Sequence, residues 1–278
     1  MRRERVSKSV CVFISEEYAE VTAGAIITEE GVVMVDTLPF PHETREILGF
    51  LRGEQLGDVR YVINTHFHTD HVYGSYLFPQ AEVVAHEGCR QALEEYGEKS
   101  LAEAKLHTPA LAEVRLRLPT LTFAEEMLLH MGNMTLHLMH LPGHTADSAG
   151  VYVEEDRVLL AGDAVMPIPY IAWGDGEDFI RSLRRVRSLA LDSIVQGHGE
   201  VLLRGEIKAD IDRSIAYLED IYRRVQDVVR AGASETELAE IKLEDYHAEP
   251  RLILHGLAYE LHHANLLQLY TSLKASQS

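Results

Sequence analysis

A polar cluster set directly against a buried strand dictates how the rest of this chain can be arranged. Val59-Arg60-Tyr61-Val62-Ile63 is an apolar, β-branched run of strand length. It leads straight into Asn64-Thr65-His66-Phe67-His68-Thr69-Asp70-His71. Three imidazoles and a carboxylate at the mouth of a buried strand are costly to leave without partners. The pattern H-x-H-x-D-H is too ordered for coincidence in a chain with 15 His among 278 residues. Metal ligation supplies the partner, and neutral imidazole with carboxylate suits Zn²⁺, with Fe²⁺ and Mn²⁺ also compatible. His66 and His68 are two apart, so an extended loop turns both the same way, whereas Asp70 and His71 are adjacent and diverge. The diverging pair is better placed to serve a second ion, as two-metal hydrolases require.

Three later elements complete a set. His144 sits in Pro142-Gly143-His144-Thr145, Asp163 ends the run Val158-Leu159-Leu160-Ala161-Gly162-Asp163, and His198 lies between Gly197 and Gly199. Each follows an apolar strand, with Gly beside it to allow close approach. Polar residues gathered at strand C-termini are where α/β folds place their sites. Around them the sequence alternates short strands with helices. Strands are expected over 10–14, 19–27, 32–35, 59–63, 81–85, 118–121, 128–131, 134–140, 150–153, 158–160 and 193–196. Helices are expected over 41–53, 87–96 and 178–188. From about residue 205 the texture turns helical: 207–230 is amphipathic, with Ile211, Ile215, Leu218, Ile221, Val225 and Val228 on one face. Segments 234–241 and 251–273 also read as helical.

The ordered set His66-x-His68-x-Asp70-His71, His144, Asp163, His198 resembles the metallo-β-lactamase superfamily over about residues 10–205. The resemblance implies an α/β fold, a four-layer αββα sandwich, with a dinuclear metal site between two sheets. It divides the chain into an αββα domain, 1–205, and a C-terminal helical extension, 206–278, packed on it. It implies that His66, His68 and His144 hold one metal, that Asp70, His71 and His198 hold the other, and that Asp163 bridges both. It makes Asp36 a support for the ligand loop. The implied cofactors are two Zn²⁺ ions, and the implied enzyme is a superfamily hydrolase. Its metal-bound hydroxide opens a small-molecule ester, lactone, thioester or amide, with Asp70 as proton shuttle. Tyr170 and Trp173, in an apolar loop after Asp163, and Tyr73, after the ligand motif, are candidate substrate contacts.

Departures from family patterns narrow the substrate only slightly. Asp163 stands where a familiar group of true β-lactamases has Cys, yet Gly143-His144-Thr145-x-Asp147-Ser148 is similar to the G-H-T-x-D-N stretch of that same group. Glyoxalase II-like members usually have Gly-Gly after the D-H pair, and here Val72-Tyr73-Gly74 follows it. β-Lactam hydrolysis, native or as a side activity, therefore stays open. The alternative is an oxidoreductase resembling the persulfide dioxygenases, with one Fe²⁺ in a similar motif.

Composition bounds the partners. Asp+Glu exceed Lys+Arg by 44 to 26, a net charge of −18 that repels nucleic-acid and anionic membrane surfaces. A small-molecule substrate is expected, with no nucleic acid and no membrane. No stretch reaches the roughly 20 apolar residues of a spanning helix, no secretory signal is read at the start, and two unpaired cysteines, Cys11 and Cys89, fit a cytoplasmic protein. Cys89 reads as a small core residue. The apolar face of 207–230 must be covered, by its own sheet or by a second copy in a homodimer.

Overall fold

The computed structural model describes residues 1–275. Seven strands form the first sheet in chain order: β1 (Arg2–Arg5), β2 (Val10–Ile14), β3 (Thr22–Thr28), β4 (Gly31–Val35), β5 (Val59–Ile63), β6 (Glu82–His86) and β7 (Leu121–Phe123). Pairing is antiparallel through β4 and parallel from β4 to β7. The second sheet runs in the order β13 (Leu202–Leu203), β12 (Ser193–Val195), β11 (Val158–Leu160), β10 (Ala149–Val153), β9 (Met134–His140), β8 (Glu126–Met131). Its one parallel pair is β11 with β12.

Period-two alternation builds the layers. In β2, Val10, Val12 and Ile14 point into the space between the sheets, where Leu136, Leu138, Val151 and Leu160 meet them. Cys11 and Phe13 point the other way, onto Ile47 and Leu51 of helix α1 (Pro41–Gly53). Val158 and Leu160 of β11 face inward while Leu159 faces outward, against a helical layer. Each such side chain, fully buried, contributes about 1.5–3 kcal/mol. The short helix α2 (Thr69–Val72) carries part of the ligand motif. Helices α3 (Glu87–Ala92), which carries the fully buried Cys89, and α4 (Glu98–His107) pack over Val72 and Tyr73. Helices α5 (Gly176–Ser188), α6 (Arg204–Arg230) and α7 (Ala258–Ala275) cover the second sheet. The order helix, sheet, sheet, helix is the four-layer sandwich expected from the resemblance.

The differences from expectation have local causes. β1 went unread because Arg2-Arg3-Glu4-Arg5 is an edge strand whose side chains lie half or fully exposed, so no apolar period marks it. The helix expected over 87–96 does not stop there. It passes through one π turn, Leu93–Gly97, into α4. The single helix expected over 251–273 is broken. Leu254 and His255 take left-handed backbone (φ 46° and 56°), Gly256 follows at φ 95°, and regular α-helix begins only at Ala258. On α6, Ile211, Leu218, Ile221 and Val225 are buried as read, but Val229 rather than Val228 completes the stripe. That is the drift of a 3.6-residue turn along a long helix. Among the described residues no helix is long and apolar enough to cross a membrane.

Candidate metal centre

The seven candidate ligands meet at one edge of the sandwich, delivered by strand ends from both sheets. His66 and His68 leave the end of β5, and Asp70 and His71 lie on α2. His144 follows β9, Asp163 follows β11, and His198 follows β12. Ligating atoms of His66, His68, His144 and Asp163 lie within 4.8 Å of one another, as do those of Asp70, His71 and His198. Asp163 stands between the groups with one oxygen for each. Its Oδ2 is 3.2 Å from His144 Nε2 and 3.7 Å from His66 Nε2. Its Oδ1 is 3.2 Å from His71 Nε2 and 3.5 Å from His198 Nε2. Asp70 Oδ2 lies 3.4 Å from His198 Nε2 and 3.7 Å from His71 Nε2.

The far side of the ring fixes the tautomer of His66, His71, His144 and His198. His71 Nδ1–H donates to Asp36 Oδ2 at 2.8 Å, His144 Nδ1–H to the Tyr170 carbonyl at 2.7 Å, and His198 Nδ1–H to the Ala19 carbonyl at 2.8 Å. The Thr65 hydroxyl donates to Asp36 Oδ2, which leaves its lone pair to accept His66 Nδ1–H at 3.0 Å. Four Nε2 atoms therefore converge on the Asp163 carboxylate. Asp36 also accepts the Thr65 backbone N–H, and it holds this position in left-handed backbone, φ 59°, which Asp tolerates better than most residues. Two glycines make the convergence sterically feasible. A Cβ at Gly162, itself at φ 49°, would collide with the Thr65 side chain, and one at Gly197 with the Asp163 carboxylate and the Gly162 backbone.

Electrostatics divides the two groups. Burial, and then the neighbouring His71, holds His66 far below the usual imidazole range. Burial, and then His144, pushes His68 down to about 3. In the other group burial also opposes charge, but the carboxylates outweigh it. Asp163, Asp70 and Asp36 hold His71 well above its ordinary value, and Asp163 and Asp70 bring His198 up to about 10. His66 Nε2, His71 Nε2 and Asp163 Oδ1 are buried and have no hydrogen-bond partner. Buried nitrogens gathered around one carboxylate fit a pair of divalent cations, which would replace the protons that His71 and His198 otherwise hold.

Over the centre opens a cleft of about 460 Å³ whose walls include His68, Asp70, Tyr73 and Trp173. Phe67 and Tyr96 pack on Trp173 with ring centroids 5.7 and 5.4 Å apart, and Tyr18 adds a further ring to the wall. Trp173, the chain's single tryptophan, is 61% exposed at this mouth. Tyr170 is not in the wall. Its ring lies against His144, 5.5 Å between centroids, and its carbonyl orients that imidazole. Tyr18 and Tyr96 were missed because nothing in their neighbourhoods marks them; only the fold brings them to the site. His262 and His263 stand apart from the centre, and His262 bonds instead to Tyr217 and to the Ile241 carbonyl.

The sequence matches the family described as the metallo-beta-lactamase superfamily over residues 20–205. A beta-lactamase-like protein 2 homolog from Caenorhabditis elegans is 29% identical over 104 residues, 37% of this chain and 34% of that protein. A hydroxyacylglutathione hydrolase from Methylococcus capsulatus is 27% identical over 190 residues, 66% of this chain and 64% of that protein. The chain thus spans from one third to just under two thirds of the length of these relatives. Among solved structures, a metallo-beta-lactamase family protein from Thermus thermophilus is 21% identical, with a TM-score of 0.66 over 92% of this chain and 93% of the other. At that identity the likeness is one of fold.

Proposed function

This chain belongs to the metallo-beta-lactamase superfamily, and from that membership we propose that it is a dinuclear zinc hydrolase of small thioesters, esters or lactones. The observation that carries the reading is Asp163, whose two oxygens face two separate groups of imidazole nitrogens, each group holding one buried nitrogen without a hydrogen-bond partner. His66, His68 and His144 would hold one ion, Asp70, His71 and His198 the other, and Asp163 both. When bound, the pair supplies a water acidified to near neutrality and a Lewis acid for the scissile carbonyl.

The chain's own residues do the remaining work. Asp36, Thr65 and the carbonyls of Ala19 and Tyr170 hold the outer nitrogens of His71, His66, His198 and His144, so the Nε2 of each of these four is turned toward Asp163. Asp70, at 14% exposure, is the carboxylate of the set that opens to the cleft, and it can take a proton at a carboxylate oxygen and return it to the leaving group. Phe67, Tyr96 and Trp173 offer flat apolar surface to the acyl or leaving group, which favours carbon-rich substrates over small hydrophilic ones. Tyr73 adds a neutral phenol to the wall, burial and then Asp70 raising it to about 12. The relative that hydrolyses hydroxyacylglutathione supports a thioester among the substrates.

The test is turnover by zinc-loaded protein of a panel holding a thioester, an aryl ester, a lactone, a phosphodiester and a chromogenic β-lactam. Thioester, ester or lactone hydrolysis, abolished by His66→Ala, is expected. Fully loaded protein that turns over none of them, or that consumes oxygen with one iron per chain, overturns the proposal.

A further inference from the structure

The helical extension reaches into the centre through one buried amide. Asn265, on α7, is wholly buried. Its Oδ1 accepts the Ile171 backbone N–H at 2.7 Å, and its Nδ2 donates to the Pro169 carbonyl at 2.7 Å. The residue between those two is Tyr170, whose carbonyl accepts His144 Nδ1–H. The same loop also holds the backbone of His144, because Ala172 N–H and Trp173 N–H both donate to the His144 carbonyl at 3.0 Å.

The amide cannot turn over. Its second N–H goes to Tyr217 Oη on α6 at 3.1 Å. That hydroxyl donates to His262 Nδ1 at 2.9 Å, and His262 Nε2–H donates to the Ile241 carbonyl at 2.9 Å. Each donor in this chain has one acceptor and each acceptor one donor, so flipping Asn265 would set N–H against N–H at Ile171 and oxygen against oxygen at Pro169. Burial keeps His262 below the usual imidazole range, which preserves its neutral, accepting Nδ1. The network touches no cleft-lining residue except through the loop, so binding of substrate does not explain it.

We infer that Asn265 is a positioning residue for His144: the C-terminal helices set the height and tilt of one candidate ligand by pinning the loop on both sides of Tyr170. The inference rests on reading His144 as a metal ligand. It predicts an asymmetric defect, because Asp36 and the Ala19 carbonyl, not Asn265, Tyr217 or residues 169–171, hold His71 and His198.

The experiment is stepwise titration of metal-free protein with Zn²⁺ by calorimetry, and with Co²⁺ followed by its visible ligand-field spectrum, for wild type, Asn265→Leu and Tyr217→Phe. Ile221→Ala, which hollows the same helical layer but makes no hydrogen bond to loop 169–171, controls for loss of packing. In Asn265→Leu one of the two binding steps is expected to weaken by about 10–100-fold, the range seen when a residue orienting a ligand is lost. The other step stays as in wild type, and the Co²⁺ spectrum of the weakened site changes. Tyr217→Phe is expected to shift the same step by a few fold, and it carries the test if Asn265→Leu fails to fold. Ile221→Ala should lower the melting temperature with both steps intact. Wild-type affinity at both steps in the folded variants, or equal weakening in Ile221→Ala, overturns the inference. A wild-type protein that binds no metal overturns the reading of His144 itself, and with it the inference.

Discussion

Half of the candidate centre is local and half is assembled. His66, His68, Asp70 and His71 come from one stretch of six residues, positioned by the end of β5, one helical turn and Asp36. His144, Asp163 and His198 arrive singly from three loops, and only the pairing of β9, β10, β11 and β12 brings them together. The local half depends on short-range geometry that a chain carries with it. The assembled half depends on sheet register, on glycines that let backbones approach, and on helices packed more than 90 residues further along. The two halves should therefore fail differently.

The largest effect belongs to the residue shared by both groups. Asp163→Ala is expected to cost metal at both sites and to reduce hydrolysis by at least about a hundredfold. His68→Ala should cost one site. Elemental analysis of the purified variants separates the two cases, and two ions retained in Asp163→Ala would break the bridging arrangement.

Asp36→Asn tests the local half. Asp36 accepts from His71, the Thr65 amide and the Thr65 hydroxyl, so one weakened carboxylate should loosen the ligand loop. Zinc affinity is expected to fall by about 10–100-fold, chiefly in the group that holds His71. Calorimetry resolves this, and an equal fall at both groups would show that Asp36 acts on the whole ligand loop and not chiefly through His71.

Gly197→Ala tests the assembled half. The added Cβ has the Asp163 carboxylate and the rigid Gly162 backbone in its way. Denaturant unfolding should show a loss of about 1–3 kcal/mol. Gly49→Ala on α1, where a Cβ meets nothing within 4 Å, should instead gain about 0.5–1 kcal/mol. Similar effects at the two glycines would remove the steric argument.

The smallest effect lies behind the ligand loops. His86 Nδ1 accepts Gly88 N–H at the start of α3, and its ring stacks on His140 with centroids 4.1 Å apart. Burial, and then His140, holds His86 below its ordinary value of 6.5. The unfolded chain therefore takes up this proton first, so the contribution is intact above about pH 6.5 and is lost progressively as pH falls below it. His86→Asn keeps a helix-capping acceptor without the titration. Between pH 7 and 5 it should flatten the stability profile relative to wild type, read by urea unfolding.

What could be read from the sequence follows the same division. The H-x-H-x-D-H stretch announces itself because four ligand-type residues share one short window, and the resemblance ordered the other three behind it. The sandwich came from the same resemblance: β2, β4 and β11 are apolar at every position, which marks them as buried strands but does not say which side chains face the other sheet and which face helices. Trp173 and Tyr73 stand out in the sequence by their position beside candidate ligands, and both line the cleft. Tyr18 and Tyr96 were not, since a ring on an exposed loop or helix becomes a cleft wall only once distant segments pack. Tyr170 was read as a side chain facing substrate, but what reaches the centre is its carbonyl, which no residue identity encodes. Asn265 lay inside an apolar helical pattern, where a lone amide looks like an interruption and not a tie to His144.

The most direct test is a crystal of the zinc-loaded protein measured on both sides of the zinc absorption edge. The account predicts two anomalous peaks per chain, one between Asp163 Oδ2 and the His66, His68 and His144 rings, the other between Asp163 Oδ1 and Asp70, His71 and His198. A single peak with Asp163 bound through one oxygen, or zinc found elsewhere in the chain, would contradict it.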